Sequence, residues 1–387
     1  MDRGLLLVTV PIACLVLGIT YRFFLDPLAK YPGPAIAKLT GFYTMYLAVT
    51  GQKTYATYDM HRKYGKVVRI GPNELCFFDL DSIKDIYGQS TQLCTKATAF
   101  YGGFTMTGAD SVFSTRDRAV HGRMRRLLSY GFSQQGVLQF EQDIRQMVGH
   151  YQGIVGSSPQ PVDFYALTQH LFLDITSHLS FAKSFDTLTQ GSNPGAEDIF
   201  TYFNICPLFG EVPIARYLPF GIFRAAKQAQ PRIISWAQSR IDEVRAEVRA
   251  GTAGHGLLRS MIEAEDSETG QAFSDEELIE NAVIFVLAGS ATSATTVLYL
   301  LWAVAKHPAV EKRLLREVRE AFPDPEVLPE YKDASNLVST ILWPDLALFK
   351  GSITNPHDSL TSIACCKRPC ASGVLRTRSR REYPQAK

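Results

Sequence analysis

The sequence predicts a mostly α-helical fold with a small β-sheet, placed after an N-terminal transmembrane helix. Three observations carry this. Gly4 to Tyr21 is almost wholly apolar, and Phe23, Phe24 and Leu25 extend it. Apolar residues recur at helical spacing along most of the body. Two short β-type segments, Lys66–Ile70 and Leu75–Asp79, flank the turn Gly71-Pro72-Asn73-Glu74 and read as a hairpin.

A spanning helix needs about 20 mostly apolar residues, so residues 4–25 are long enough to anchor the chain in a membrane. A cleaved secretory signal is the rival reading. Against it, the charge of Arg3 is offset by Asp2, and the apolar run passes into aromatics rather than into a small-residue cleavage site. Tyr31-Pro32-Gly33-Pro34 then stiffens the exit.

The body, residues 31–334, is long enough for a large core. Of the whole 387-residue chain, 46% is hydrophobic and 20% charged. A net charge of +2 gives no reason to expect a nucleic-acid partner. Basic residues cluster instead between Arg116 and Arg126 and in residues 367–387. Seven cysteines are too few for a disulfide scaffold and read as reduced thiols in a cytosol-facing protein.

Helices are expected at Thr54–Tyr64, ended by Gly65, then at Asp81–Tyr87, Arg118–Leu128, Gly136–Gln152, Pro161–Phe181, Ile233–Ala250 and Leu257–Glu265. Lys96–Asp117 has no clear period and reads as a long loop, of the kind that is functional or mobile. Ser274 with Glu277 forms a capping box before the longest helix, which runs to Lys306 and is apolar nearly all round from Ala282 to Ala305. Its internal glycine and hydroxyls favour burial in protein over a second membrane span. Ala309–Phe322 is a last amphipathic helix. No G-x-G-x-x-G, P-loop or H-E-x-x-H motif is present, and no metal site is read.

Within the long helix, Ala288-Gly289-Ser290-Ala291-Thr292-Ser293 resembles the distal-helix motif of the cytochrome P450 (haem-thiolate monooxygenase) family. His61 to Leu75 resembles the first helix and hairpin of its fungal members. Tyr31–Pro34 resembles the hinge after the anchor, and Arg116-Asp117, His121-x-x-x-Arg125-Arg126 and Phe132-Ser133 resemble the helix at the haem edge. Lys306-His307-Pro308 resembles the segment after the distal helix.

The resemblance implies a P450-like fold and a set of roles. Gly289 would leave room for dioxygen, the Thr292 hydroxyl would handle its protons, and His121 and Arg125 would hold a haem propionate. The usual acid of the motif is replaced by Ala291. The implied cofactor is haem, with electrons from NADPH through a partner reductase. The implied substrate is a small lipophilic molecule of fungal secondary metabolism. The implied location is a single-pass membrane protein of the endoplasmic reticulum, its body facing the cytosol.

The family's thiolate comes from a loop written Phe-x-x-Gly-x-Arg-x-Cys-x-Gly, after a Glu-x-x-Arg pair. After Glu330 the only glutamate is Glu382, and it begins no such pair. Cys370 follows Arg368 by two, but Ile363, Cys366 and Ser372 replace the loop's other residues, and it lies too close to Thr292 in sequence. Residues 335–387 are therefore expected to be an atypical, disordered tail, the fold incomplete, and the chain inactive through loss of the axial cysteine. The competing expectation is a non-catalytic, membrane-anchored binding or scaffold protein.

Overall fold

In a computed structural model of the chain, residues 3–88, 94–324, 327–335, 337 and 364–367 are described. They are mostly helical, with one three-stranded antiparallel sheet in the order β1-β2-β3. Packing divides the chain into two units that meet in sequence at Ala97 and Thr98. The expected body 31–334 therefore runs through both.

The first unit begins with α1 (Arg3–Thr20), continued without a break by a π-helical segment, Tyr21–Leu25. At 1.5 Å per residue the two extend about 34 Å. Val10, Ile12, Leu15, Val16 and Leu17 are all exposed, so no face of α1 is reserved for a protein core.

The end of this helical segment is fixed by charge. Arg69 of β1 is fully buried, and its Nη2 lies 2.9 Å from Asp26 Oδ2. Arg22 donates to the same oxygen at 2.9 Å. The Pro32-Gly33-Pro34 turn lies against β1, where Arg69 N donates to Pro32 O at 2.7 Å. A Cβ on Gly33 would sit 2.2 Å from Arg69 O, so only glycine allows this approach.

Two helices not read from the sequence follow, α2 (Ala35–Leu39) and α3 (Phe42–Val49). Next come α4 (Lys53–Tyr64), stopped at Gly65 with φ +93°, then β1 (Val67–Gly71), β2 (Glu74–Phe77) and α5 (Leu80–Tyr87). The hairpin register pairs Val68 with Cys76.

β3 (Ala364–Lys367) pairs antiparallel with β2, matching Cys76 with Cys365. The sequence reading placed no structure in residues 335–387, and this strand departs from it. Beyond residue 337 only these four residues are described, so Cys370 and the rest of the expected tail lie outside them.

The second unit opens with α6 (Thr98–Tyr101) and a 3₁₀ turn, Gly102–Phe104, inside the expected long loop. Then come α7 (Arg118–Leu128), α8 (Gln134–Leu138) and α9 (Glu141–Ser157). The expected single helix Gly136–Gln152 is thus two helices, interrupted at Gln139–Phe140.

α10 (Phe164–Phe181) starts at Asp163, which caps the Tyr165 and Ala166 N–H groups. After α11 (Thr187–Gln190), α12 (Pro194–Glu211) was not expected, although Asn193 caps it and Pro194 opens it. α13 (Gly221–Ala250) begins well before Ile233, because the buried face Ala226, Ala229, Ile233, Ala237 continues past Pro231. α14 (Leu257–Glu263), α15 (Asp275–Lys306) and α16 (Pro308–Ala321) complete it.

The core of this unit is built around the first half of α15. Leu278, Ile279, Ala282, Val283 and Val286 are buried with Phe181, Tyr202, Ile233 and Leu258 from the helices around it.

Candidate functional site

α15 forms as the sequence dictates. Ser274 Oγ accepts from Glu277 N and the Glu277 carboxylate accepts from Ser274 N, closing the capping box. Three acids in the first turn and Lys306 in the last suit the helix dipole. Although α15 is long and apolar enough to cross a membrane, its first half is buried in protein.

Halfway along, its surroundings change. Ser290 and Ala294 are buried, while Ala288, Thr292, Thr295 and Thr296 are exposed. Thr292 Oγ1 donates back to Ala288 O at 2.6 Å, so the hydroxyl lies on that open face with its lone pairs available. Gly289 is turned toward α10: a Cβ there would lie 2.7 Å from Thr176 Cγ2. The two motif residues therefore sit on neighbouring faces, one closing the contact with α10 and the other on the open side.

α7 contributes a divided set of basic side chains. Arg123 turns inward to pair with Glu277 of α15 and to donate to Ala272 O at 3.1 Å. Arg126 makes a two-pronged contact with Asp266, at 2.7 and 3.1 Å. Arg126 and Thr269 hold the Asp266 carboxyl well below the usual carboxylate range. Arg116, Arg118 and Arg125 are exposed and His121 is half-buried, so the outward face of α7 stays basic. The Arg125 side chain makes no hydrogen bond or ion pair among the described residues. Just beyond α7, Phe132 meets Phe285 of α15 edge-on, with centroids 5.0 Å apart. This brings the end of α7 to α15 two turns before Thr292.

A third component was missed by sequence reading. Glu280 of α15 is 1% exposed, and its Oε1 accepts from Met106 N at 2.6 Å, Thr107 N at 2.6 Å and Thr107 Oγ1 at 2.9 Å. Asn281, fully buried, accepts from Val112 N at 2.9 Å. Burial pushes the Glu280 carboxyl up to about 7, against the opposing pull of its three donors. The signal was present: a glutamate inside an apolar helix pattern is expensive to bury without partners. What the sequence lacked was the location of those partners, far upstream in the loop.

That loop carries an aromatic cluster. Phe100, Tyr101, Phe104 and Phe113 meet with ring centroids 5.0–5.2 Å apart, and Phe104 also contacts Phe203 of α12.

What the residues offer a haem is an open, hydroxyl-bearing face on α15 and, on a separate helix, a basic outward face of α7. Among the described residues no group of three or more His, Cys, Asp or Glu is placed to hold a metal ion. Of the cysteines, Cys206 is buried in α12, where burial pushes its thiol up and disfavours a thiolate.

Comparison with known proteins identifies the family. The family model for cytochrome P450 matches residues 34–340. The monooxygenase apf7 of Gibberella fujikuroi is 28% identical over 335 residues, covering 79% of this chain and 62% of that protein. The monooxygenase ABA2 of Pyricularia oryzae is 28% identical, over 95% of this chain and 73% of the relative. Fusicoccadiene 8-ol C-16-hydroxylase of Phomopsis amygdali is also 28% identical, over 89% and 70%. The chain thus spans roughly two thirds of the length of these relatives, and less than that of apf7. In fold it is similar to the crystal structure of the cytochrome P450DA heme domain, with a TM-score of 0.65 at 18% identity over 81% of this chain and 68% of that one. The matched span and the helical architecture place this chain in the cytochrome P450 family.

Proposed function

We propose that the chain carries the distal and edge portions of a haem-thiolate monooxygenase site that oxidises a small lipophilic substrate in fungal secondary metabolism. The observation that carries this is the Thr292 hydroxyl on the open face of α15. When bound there, haem would supply dioxygen activation. His121 and Arg125 would hold its propionate, since guanidinium groups match carboxylates in charge and shape. Thr292 would hold and pass on a proton at Oγ1, and Gly289 would keep the helix slim beside it. Ala291 contributes no carboxylate, so proton delivery would be altered or would fall to Thr292 with the half-buried Ser293 hydroxyl and water, Ser290 being buried.

The aromatic cluster of Phe100–Phe113 would shape an apolar pocket. The name of the Phomopsis hydroxylase, which acts on fusicoccadiene 8-ol, supports a substrate of this kind. Electrons would come from NADPH through a membrane-bound reductase. α1 would anchor the protein as a single span in the endoplasmic reticulum, its body on the cytosolic side.

The thiolate is the finer part of the reading. Neither Glu-x-x-Arg nor the cysteine loop occurs after Glu330, so these 387 residues by themselves would not ligate haem through sulfur. The reduced carbon monoxide difference spectrum of the purified chain tests this, and no thiolate-type Soret band is expected. Such a band, abolished by Cys370→Ala, would overturn it. The locus downstream of codon 340 is the second test, and both motifs in another frame or exon would support the reading. A locus with neither would sink the monooxygenase reading.

A further inference from the structure

The loop Thr105–Phe113 is held by side chains from three different helices. Tyr202 of α12 donates to Thr105 O at 3.2 Å, and Gln230 of α13 donates to Met106 O at 2.6 Å. Glu280 of α15 takes the Met106 and Thr107 N–H groups and the Thr107 hydroxyl, and Asn281 takes Val112 N. Asn281 Nδ2 in turn donates to Glu277 O at 2.8 Å, which ties this clasp to the turn paired with Arg123.

Such a concentration of buried polar groups on so short a segment needs a reason. Loops are ordinarily solvated, and a buried carboxyl costs free energy unless its acceptor sites are filled. Here one carboxyl oxygen fills three donors at once, and the polar groups converge where the loop's backbone bonds would otherwise be unmet. The carboxyl stands on the same helix as Thr292, about 18 Å earlier along a continuous rise of 1.5 Å per residue.

We propose that Glu280, assisted by Asn281, is a positioning residue that registers the pocket-forming loop Thr105–Phe113 to the helix bearing Thr292. The aromatic wall and the reactive face then share one rigid frame. Substrate choice is set by the loop and referenced through α15, without Glu280 touching substrate. The pocket role of the loop rests on the monooxygenase reading, whereas the clasp itself does not.

Hydrogen–deuterium exchange of the full chain tests the clasp without haem. Glu280→Ala should raise exchange at Met106 and Thr107 at least tenfold, while the amides of α13 keep their protection. Glu280→Gln should preserve protection, because its amide oxygen can accept the same three donors. Asn281→Ala should release Val112 alone. Three results would overturn the proposal: unchanged exchange at Met106 and Thr107 in Glu280→Ala, an equal rise throughout α10, α13 and α15, or Glu280→Gln behaving like Glu280→Ala. If the exchange pattern holds but the locus lacks the cysteine loop, the clasp stands and the monooxygenase reading fails.

Discussion

Thr176 of α10 faces Gly289 of α15 so closely that a Cβ on Gly289 would lie 2.7 Å from Thr176 Cγ2. The threonine is not free to turn away, since its hydroxyl donates to Phe172 O at 2.8 Å. Gly289→Ala should therefore crowd this contact. Overpacking typically costs about 1–3 kcal/mol, partly offset by the roughly 1 kcal/mol that alanine gains over glycine in a helix. In a Thr176→Ala background the crowding disappears, and the same substitution should become stabilising by up to about 1 kcal/mol. Urea unfolding of the four variants measures this, and equal effects in both backgrounds would exclude the contact as the cause.

The Glu280 carboxyl links folding to pH. Its ordinary value is 4.5 and burial raises it to about 7. The folded protein therefore binds a proton that the unfolded chain has released between these values. Its stabilising effect is complete below 4.5 and is lost as pH rises through about 7. Asp110 on the loop pushes in the same direction. On α12, Tyr202 and Cys206 stay neutral throughout, both pushed up by burial. Stability should fall by about 3 kcal/mol across this window, at 1.36 kcal/mol per unit. Glu280→Gln should abolish the difference. Parallel pH profiles for the two proteins in chemical denaturation would refute the assignment.

Asp266 acts in the opposite sense. Arg126 and Thr269 hold its carboxyl below the ordinary 3.8. Its contribution is present above that value and disappears as pH falls below it. Arg126→Ala should raise the acid-unfolding midpoint followed by circular dichroism, whereas Arg125→Ala, at an exposed position on the same helix, should leave it unchanged.

In the first unit, Asp26→Ala would leave Arg69 charged and fully buried without its carboxylate. Removing one partner of a buried pair costs about 3–5 kcal/mol. Arg22, 30% exposed, shares the same carboxylate, and Arg22→Ala should cost under about 1 kcal/mol. Limited proteolysis between residues 26 and 34 is expected to accelerate in Asp26→Ala only. Equal cleavage of both variants would show that the buried pair does not fix the end of the helical segment.

Much of this protein was legible in the sequence, because its signals are local. Ser274 and Glu277 are three residues apart and cap α15 wherever it packs. Gly65 stops α4 through its own backbone conformation, and the hairpin follows from the short turn between two β-type segments. The family motifs were equally legible, being runs of adjacent residues. α12 and the start of α13 escaped notice because Pro207 and Pro231 interrupt patterns that tertiary packing carries through. The pairing of β2 with β3 joins residues nearly three hundred positions apart, and no periodicity announces such a partner.

Only the tertiary structure decided which way the functional side chains face. α7 reads as one basic stripe in sequence, yet Arg123 and Arg126 are spent on Glu277 and Asp266 while Arg125 remains exposed. Gly289 and Thr292 belong to one motif but serve neighbouring faces. Glu280 reads as an isolated acid until the loop brings Met106 and Thr107 to it. The physical reason is common to all three. A residue's chemistry is set by its own side chain, but its role depends on which polar groups the fold brings within hydrogen-bond reach, and those come from distant parts of the chain.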